Sequence, residues 1–484
     1  MIKESILRTP LAVVIAIVVF LFTVQSGYAQ EENEETGDRS SPSSLVEAER
    51  DTMMLPAMGD KSDYPSGHAA RRSFYSKNEA TVGTLPDPLP LNWCLERAQQ
   101  TNPSIAVNEA AAAAAAHRIS PAGALEDPRF SYEAINIPVG DFDFNSTPMS
   151  GNQLRLMQKF PFPGVLSNRE EAARAGASAA TEDLEDQRLR VAAVVESRWA
   201  ELGFSQRALE ITDANLDLLR QLTEIAETKY SVGLGLQQDV LRAQVALTRL
   251  LEERLRRIEA LRAAEAQLAA ALDLPPQTLF PRTTDLRDES SLPEIAPLLG
   301  HLDDTSPMLR ALAERVEEAE RMHRVTKFEG YPDFDLGVGY RIRQSAPGDP
   351  VTGDDFVSAG VTLRLPVNRG KWREKTAERA ALVRRAEAVY RDGRARLRDA
   401  VRTTFAALER ADAEVALLET GLVPQTRQSL DSSRSGYQVD KVDFLSLIDS
   451  QVRLLDAELS LVRAVADRRA AFAALESAIG KELR

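Results

Sequence analysis

Hydrophobic and polar positions in this chain follow two periods, and the switches between them mark its elements. From about Leu166 to Thr228, and again in the segment after it, apolar residues recur at helical spacing. In the second run Leu247, Leu251, Leu255, Ile258, Leu261, Leu268 and Leu272 form one stripe with Arg and Glu between them. No proline occurs between Pro163 and Pro275, so a helix over Leu166 to Thr228 would be roughly 95 Å long at 1.5 Å per residue. Such a helix needs packing partners along its length. Tyr230-Ser231-Val232-Gly233-Leu234-Gly235-Leu236 supplies glycines for a tight turn, which predicts an antiparallel helical hairpin. A second long helix further on is interrupted by Pro424, where a kink is expected.

Ahead of each long helix the period changes to two. Phe334, Leu336, Val338, Tyr340 and Ile342 alternate with Asp335, Gly337, Gly339, Arg341 and Arg343. After the polar loop Gln344 to Asp355, Val357, Ala359, Val361, Leu363 and Leu365 alternate with Phe356, Ser358, Gly360, Thr362 and Arg364. A less regular version sets Leu154, Leu156 and Phe160 against Gln153, Arg155, Met157 and Lys159, with a partner strand around Phe130 to Ile137. Each run is about the 9 to 11 residues that a tilted membrane strand needs. The loops are longer than tight turns, and Phe130, Tyr132, Phe160, Phe162, Phe334, Tyr340 and Phe356 cluster at strand ends, as in outer-membrane barrels. On this reading Arg155, Lys159, Asp335, Arg341, Arg343 and Arg364 face a watery barrel lumen. The competing reading is a pair of amphipathic hairpins packed on the helices of a secreted periplasmic coiled-coil scaffold without pore activity. Four strands cannot close a barrel, since the smallest have about eight, so a spanning chain must oligomerise.

The same unit occurs twice. Asn102-Pro103-Ser104-Ile105 matches Ser306-Pro307-Met308-Leu309, and Asp127-Pro128-Arg129-Phe130 matches Tyr331-Pro332-Asp333-Phe334, both at an offset of 204. Gly164 pairs with Gly370 at 206, and Tyr230, Gln244 and Ala271 pair with Tyr437, Gln451 and Ala478 at 207. Each copy reads helix, strand, strand, very long helix, tight turn, long helix.

Composition narrows the function. With 59 Lys and Arg against 73 Asp and Glu and a pI near 5.1, the chain is unsuited to binding a phosphate backbone, so nucleic acid is not an expected partner. One cysteine, Cys94, makes no intramolecular disulfide, and His68, His117, His301 and His323 show no metal-ligand spacing. No G-x-S-x-G or P-loop is present, and the carboxylates are spread along helices, so no enzyme activity, metal or cofactor is expected. Lys3 and Arg8, the apolar run Leu11 to Phe22 and Gly27-Tyr28-Ala29 predict a signal peptide over 1–29, because the apolar run is short for a membrane-spanning anchor. Cys94 lies too far downstream for lipidation of a new N-terminus. Residues 30–90 are rich in Glu, Ser, Asp, Gly and Pro without apolar periodicity, which predicts a flexible extension.

Several stretches, in order and duplicated, carry a family resemblance. They are the helix starts Asn102-Pro103-Ser104 and Ser306-Pro307, Phe160-Pro161-Phe162-Pro163-Gly164 after the second strand, Tyr230-x-x-Gly233 followed by Asp239-Val240-Leu241-x-Ala243-Gln244, and Leu422-Val423-Pro424-Gln425 ahead of Tyr437. From Leu91 to Gly480 the chain resembles the TolC-like outer-membrane efflux factors, and Phe160–Gly164 is similar to their cation-efflux branch. The resemblance implies a mainly α fold with a small transmembrane β part: two internal repeats, at 91–272 and 306–484, joined by an equatorial linker at 273–305. In a homotrimer, a trimeric α-barrel tunnel would be continuous with a twelve-stranded β-barrel.

It also implies a passive exit duct in the outer membrane of a Gram-negative bacterium, with a long periplasmic part. The duct would be seated in outer-membrane lipid and docked by a periplasmic adaptor (membrane-fusion) protein and an inner-membrane transporter. Val232, Gly233 and Leu234 in the first hairpin tip, with Val439 and Asp440 in the second, would contact the adaptor. Asp239, Tyr437, Asp443 and Asp449 would form the periplasmic gate, with Tyr437 set against Asp239. The family's gate arginine is replaced by Val442, and one of its two acidic-ring positions reads Ser446 while the other keeps Asp449.

Overall fold

The computed structural model describes residues 85–481 except 141, 288–291 and 293, and also residue 483. The expected signal peptide and residues 30–84 of the expected extension lie outside the described residues. The chain divides into two compact units. A small one contains Pro128–Met157 and Leu336–Val361, and a larger helical one contains Thr81–Asp127, Gln158–Asp335 and Thr362–Arg484.

In the helical unit, α1 (Leu91–Thr101), α2 (Pro103–Ala116) and α3 (Ile119–Gly123) precede α4 (Val165–Ser231), a 67-residue helix, and its return partner α5 (Gln237–Ala271). Short helices α6 (Ile295–Gly300) and α7 (Leu302–Thr305) follow, within the expected linker 273–305. Next come α8 (Pro307–Phe328), α9 (Arg369–Leu417), α10 (Val423–Gln438) and α11 (Phe444–Ile479). Side-chain caps start several of these helices. Asn102 accepts from the Ser104 N–H at 3.0 Å and Ser306 from the Leu309 N–H at 3.4 Å, each followed by proline at the first helical position, where its missing N–H does no harm. Gly164 holds φ 95° at the start of α4 with Phe328 close against it, a backbone angle that side chains rarely adopt.

Pro424 has no N–H to give to the carbonyl four residues back. The irregularity there is a π-helical turn, Leu418–Leu422, placed directly before α10.

Packing runs in the order α2, α4, α8, α9, with α5 and α11 on α4 and α11 also on α9. Among the described residues four apolar clusters hold the unit, the smallest being Leu216, Leu219 and Leu250 between α4 and α5. Of the others, one joins α1, α4 and α5 through Cys94, Trp199, Leu268, Leu272 and Leu286. Another joins α7, α8, α9 and α11 through Leu302, Leu309, Val401, Phe405, Phe472 and Leu475. The third joins α4, α5, α10 and α11 beneath the hairpin turns. Burial pushes the Cys94 thiol up to about 12, so it packs as an inert apolar group. Beside these clusters, α8 is tied to α4 by Arg310–Glu182 at 2.8 Å and by Arg315–Asp183 and Arg321–Glu171.

The leucine stripe of α5 is only half used. Leu268 and Leu272 are fully buried, whereas Leu251 and Leu255 are exposed, and the buried seam runs instead through Ala243, Leu250, Ala264 and Leu268. Positions 243, 250 and 264 fall on a seven-residue repeat, which differs from the spacing of the leucine stripe, so Leu251 and Leu255 lie off the seam. Leu85–Pro90, the end of the expected extension, is built into the unit. Leu89 is fully buried; its N–H donates to the Arg282 carbonyl at 2.8 Å, and its own carbonyl accepts from the Thr284 N–H at 3.1 Å and from Trp199 Nε1 at 3.2 Å.

The sheet has strand order β1-β2-β3-β4, from β1 (Arg129–Ile135), β2 (Gly151–Phe160), β3 (Asp333–Ile342) and β4 (Phe356–Arg364). β1 and β2 are antiparallel with Tyr132 opposite Leu154 and Phe130 opposite Leu156. This register puts Phe130, Tyr132, Leu154 and Leu156 on one face, and Phe130 and Tyr132 are 67% and 60% exposed there. On the opposite face Arg341 donates to Gln153 Oε1 at 3.1 Å, and Gly339 lies against Gln153 and Ser358.

Between β3 and β4 the loop closes on a buried ion pair. Arg343 donates to Asp349 at 2.6 Å with both side chains almost inaccessible, and its guanidinium lies over the Phe356 ring at 4.4 Å. Burial pushes the Asp349 carboxyl up, but hydrogen bonds from Arg343, Gly353 and Val351 outweigh it and hold the group below the usual carboxylate range.

Candidate functional site

Both hairpin turns of the helical unit are built on the same hydrogen-bond frame. In the first, the N–H of Leu234 donates to the Lys229 carbonyl at 2.9 Å; in the second, the N–H of Lys441 donates to the Gly436 carbonyl at 2.9 Å. Each turn needs one left-handed residue. Gly233 takes it with φ 77° and Asp440 with φ 60°, positions 207 residues apart. A Cβ at Gly233 would meet nothing within 4 Å, so only the backbone angle demands glycine. At Gly235 a Cβ would lie 2.8 Å from the Tyr230 nitrogen, so there close approach demands it. Val232 and Leu234 project into solvent, 63% and 71% exposed, and Val439 does so in the second turn.

Beneath the turns the third cluster packs Leu222, Ala226, Ala243, Leu430, Tyr437, Phe444, Leu447 and Leu454. Tyr437 is buried and its ring meets Phe444 at 5.4 Å between centroids. Among the described residues Tyr437 Oη is buried without a hydrogen-bond partner, so within this chain it makes no hydrogen bond to Asp239. Burial first, then the carboxylates of Asp239 and Asp440, push the phenol up, so it stays protonated.

Tyr437 is engaged instead by Lys229, which composition and spacing had not marked. Its Nζ donates to the Tyr437 carbonyl at 2.6 Å and to Asp440 at 2.5 Å, and sits 4.4 Å from the Tyr437 ring centroid. This one side chain therefore ties the end of α4 to the turn after α10. The only available sequence signal was a cation in the last turn of a helix, where the helix dipole favours it.

The other acidic residues have local tasks. Asp443 caps α11, accepting from the Ser446 N–H at 3.3 Å and from the Ser446 hydroxyl, and that hydroxyl foremost holds its carboxyl below the usual range. Asp449 accepts from Arg453 one turn on at 2.9 Å. Asp239 lies in the first turn of α5. Val442, standing where the family has arginine, packs its Cγ2 at 2.5 Å from where a Cβ on Gly436 would lie.

Alongside the turns an open groove of about 650 Å³ runs between α5 and α11. Leu241, Val245, Leu445 and Val452 line it, and Arg242, Arg249 and Asp456 lie at its edges. Sequence reasoning passed over these apolar residues because they fall off the leucine stripe.

The lumen residues expected in the strands are placed as follows. Arg341 shares a face with Gln153, and Arg343 is buried in its loop pair. In the helical unit Lys159 bonds Glu126 at 2.5 Å and Arg364 bonds Asp333 at 3.2 Å. Arg155 sits opposite Ser131 in the β1–β2 register, and Asp335 begins the alternation of β3. Among the described residues no helix is long and apolar enough to cross a membrane, and no group of three or more His, Cys, Asp or Glu could hold a metal ion.

The family model described as outer membrane efflux protein matches residues 94–273 and 298–481. This chain belongs to the outer membrane efflux protein family, a family of transport channels and not of enzymes. Among solved structures it is similar to the outer membrane protein VceC from Vibrio cholerae, at 20% identity and TM-score 0.68 over 81% of this chain and 97% of that one. It is also similar to the open state of the MtrE outer membrane channel from Neisseria gonorrhoeae, at 15% identity and TM-score 0.65 over 84% and 94%. The outer-membrane channel OprN matches at 19% identity and TM-score 0.69 over 81% and 90%. No curated protein matches this chain.

Proposed function

We propose that this chain forms a homotrimeric exit duct in the outer membrane of a Gram-negative bacterium. A periplasmic adaptor would dock on it, and an inner-membrane transporter would drive it. The observation that carries the reading is open edges. The helix series α2, α4, α8, α9 ends on α2, whose outward residues Ala106, Val107, Ala110, Ala111, Ala113 and Ala114 are exposed, and on α9; the sheet ends on β1 and β4, and β4 is exposed along its whole length. An exposed strand edge with Val357, Val361 and Leu363 beside it invites pairing with another chain. Joining the β1 edge of one copy to the β4 edge of the next, and likewise the α2 edge to the α9 edge, is a head-to-tail contact, which gives a ring where the rotation closes. Three copies of four strands would give a twelve-stranded barrel, within the known range.

The two copies of the unit, at 91–272 and 306–484, would place two hairpins per subunit in the ring. Their tips, with Val232, Gly233, Leu234, Val439 and Asp440, would meet the adaptor, and the apolar groove beside them adds a seat for an adaptor helix. Asp239, Tyr437, Asp443 and Asp449 would lie at the periplasmic constriction. Phe160–Gly164 favours the cation-efflux branch. Arg155, Lys159, Asp335, Arg341 and Arg364 would border the barrel interior, whereas Arg343 is taken up by its buried loop pair.

Fractionating a Gram-negative host expressing the full chain on a sucrose gradient, then measuring the mass of the detergent-extracted particle by light scattering, tests this. A trimer in the outer-membrane fraction is expected; a soluble periplasmic species would overturn the duct and favour a scaffold.

A further inference from the structure

Helix α9 carries a charge opposite to that of the chain. Residues 369–402 hold twelve Lys and Arg against five Asp and Glu, in a protein of net charge −14. Four of the arginines, Arg384, Arg391, Arg398 and Arg402, recur at seven, seven and four residues and therefore lie on one face, a stripe about 27 Å long. All four are exposed. Arg398 reaches only to 3.9 Å from Asp303, which already pairs with Arg394. Arg384, Arg391 and Arg402 have no ion-pair partner among the described residues, although α4 and α8 consume their own charges in a cross-helix ladder. At its end the stripe opens into a cleft of about 520 Å³ formed by Arg398, Asp399 and Arg402 with Leu299 and Gly300 of α6. Like charges kept unpaired along a helix repel one another, so this face gains when an anionic partner lies on it.

The chain itself contains such a partner. Residues 31–51 hold eight Asp and Glu against two Arg, and they precede the described residues. They are joined to the helical unit by about 33 residues ending at the buried Leu89 clip. Fully extended, that connection spans at most about 110 Å, longer than the roughly 100 Å of α4, so every face of the helical unit is within reach. We propose that the acidic segment 31–51 docks along the Arg384–Arg402 stripe of α9, on its own copy or a neighbouring one. Unlike a hydrophobic clamp, such a contact holds by charge and is released by salt.

Purified full-length protein in detergent tests this whether or not the protein forms pores. Cleavage of 31–51 by a glutamate-specific protease is expected to be about tenfold slower in about 50 mM than in about 1 M NaCl, where the screening length shrinks to about 3 Å. The variant R384E/R391E/R398E/R402E, whose four positions are exposed in the single chain, is expected to be cleaved at the fast rate in both salts with its helix content by circular dichroism unchanged. Equal cleavage of wild type and variant, or salt-independent cleavage of the wild type, would overturn the proposal. In the Arg391→Lys protein, a zero-length carbodiimide is expected to crosslink position 391 to a carboxylate within 31–51. A crosslink to any other acidic stretch, including the exposed carboxylates of a neighbouring α5, would reassign the stripe to that partner.

Discussion

The two hairpin turns share one hydrogen-bond frame and differ in what holds it. The first uses Gly233, which adopts the left-handed angle freely, and leaves Val232 and Leu234 in solvent. The second puts Asp440 at the equivalent place, capped by Lys229 reaching across from α4, over a tyrosine packed on Phe444. One turn is thus self-sufficient and the other is clamped by its neighbour. Equivalent turns in duplicated halves can diverge in this way because backbone geometry sets the turn, while side chains decide whether it stands alone.

The strongest way to break that contrast is to remove the floor of the second turn. Phe444→Ala deletes a fully buried ring and is expected to destabilise by about 3–5 kcal/mol, read as a fall in the thermal midpoint of the detergent-solubilised protein. Next, Gly436→Val forces a side chain against Val442 and should destabilise by about 1–3 kcal/mol; the double change with Val442→Ala should recover most of it, and an unrescued double mutant would refute the packing argument. Lys229→Met keeps the aliphatic stem but leaves the Tyr437 carbonyl only the Asp440 N–H at 3.3 Å and removes the cation from Asp440, an expected loss of about 1 kcal/mol. Amide exchange should then accelerate around Asp440 and not around Gly233. On the self-sufficient side, Gly233→Ala meets no steric obstacle and is expected to lose only about 1 kcal/mol, the strain of the left-handed angle.

The smallest effect sharpens the comparison through pH. The Asp443 carboxyl is held below its ordinary value in the folded protein, so its capping contribution is fully present above about pH 4 and is lost as pH falls through the depressed folded value. The protection factors of the amides at the start of α11, that is exchange corrected for its intrinsic pH dependence, should fall between pH 5 and pH 3 in the wild type, while Asp443→Asn should show a flatter response. The first turn, with no capping side chain at Leu236, should not show that acid limb.

Much of this was legible from periodicity alone. The long helix predicted over Leu166 to Thr228 is found at Val165–Ser231, and the alternating runs are β2, β3 and β4, because burial on one stripe or one face writes a period into sequence. The Gly233 turn was legible for a different reason, since glycine is the residue that left-handed backbone selects. The second turn was placed at Val439 and Asp440 only through the resemblance, because aspartate adopts that angle less often and looks like any acidic surface residue. Lys229 was barely legible: its partners lie about 210 residues away, and a cation in the last turn of a helix is a weak signal on its own. The Tyr437–Asp239 pairing carried over by resemblance did not appear as a hydrogen bond, since here the phenol is enclosed by apolar neighbours. Leu89 escaped notice because one apolar residue after a polar tract gives no period.

The π-helical turn at Leu418–Leu422 also fixes the direction in which the second hairpin points. An α-helix advances about 100° per residue, so one residue accommodated in a wider turn resets the angular phase of everything that follows. The faces of α10, and with them the azimuth of Tyr437 and Asp440, are therefore set by a count of residues and not by the identity of any side chain. Within this stretch, gaining or losing a single position acts like skipping a thread on a screw: the shaft keeps its pitch, and the tool at its end faces another way.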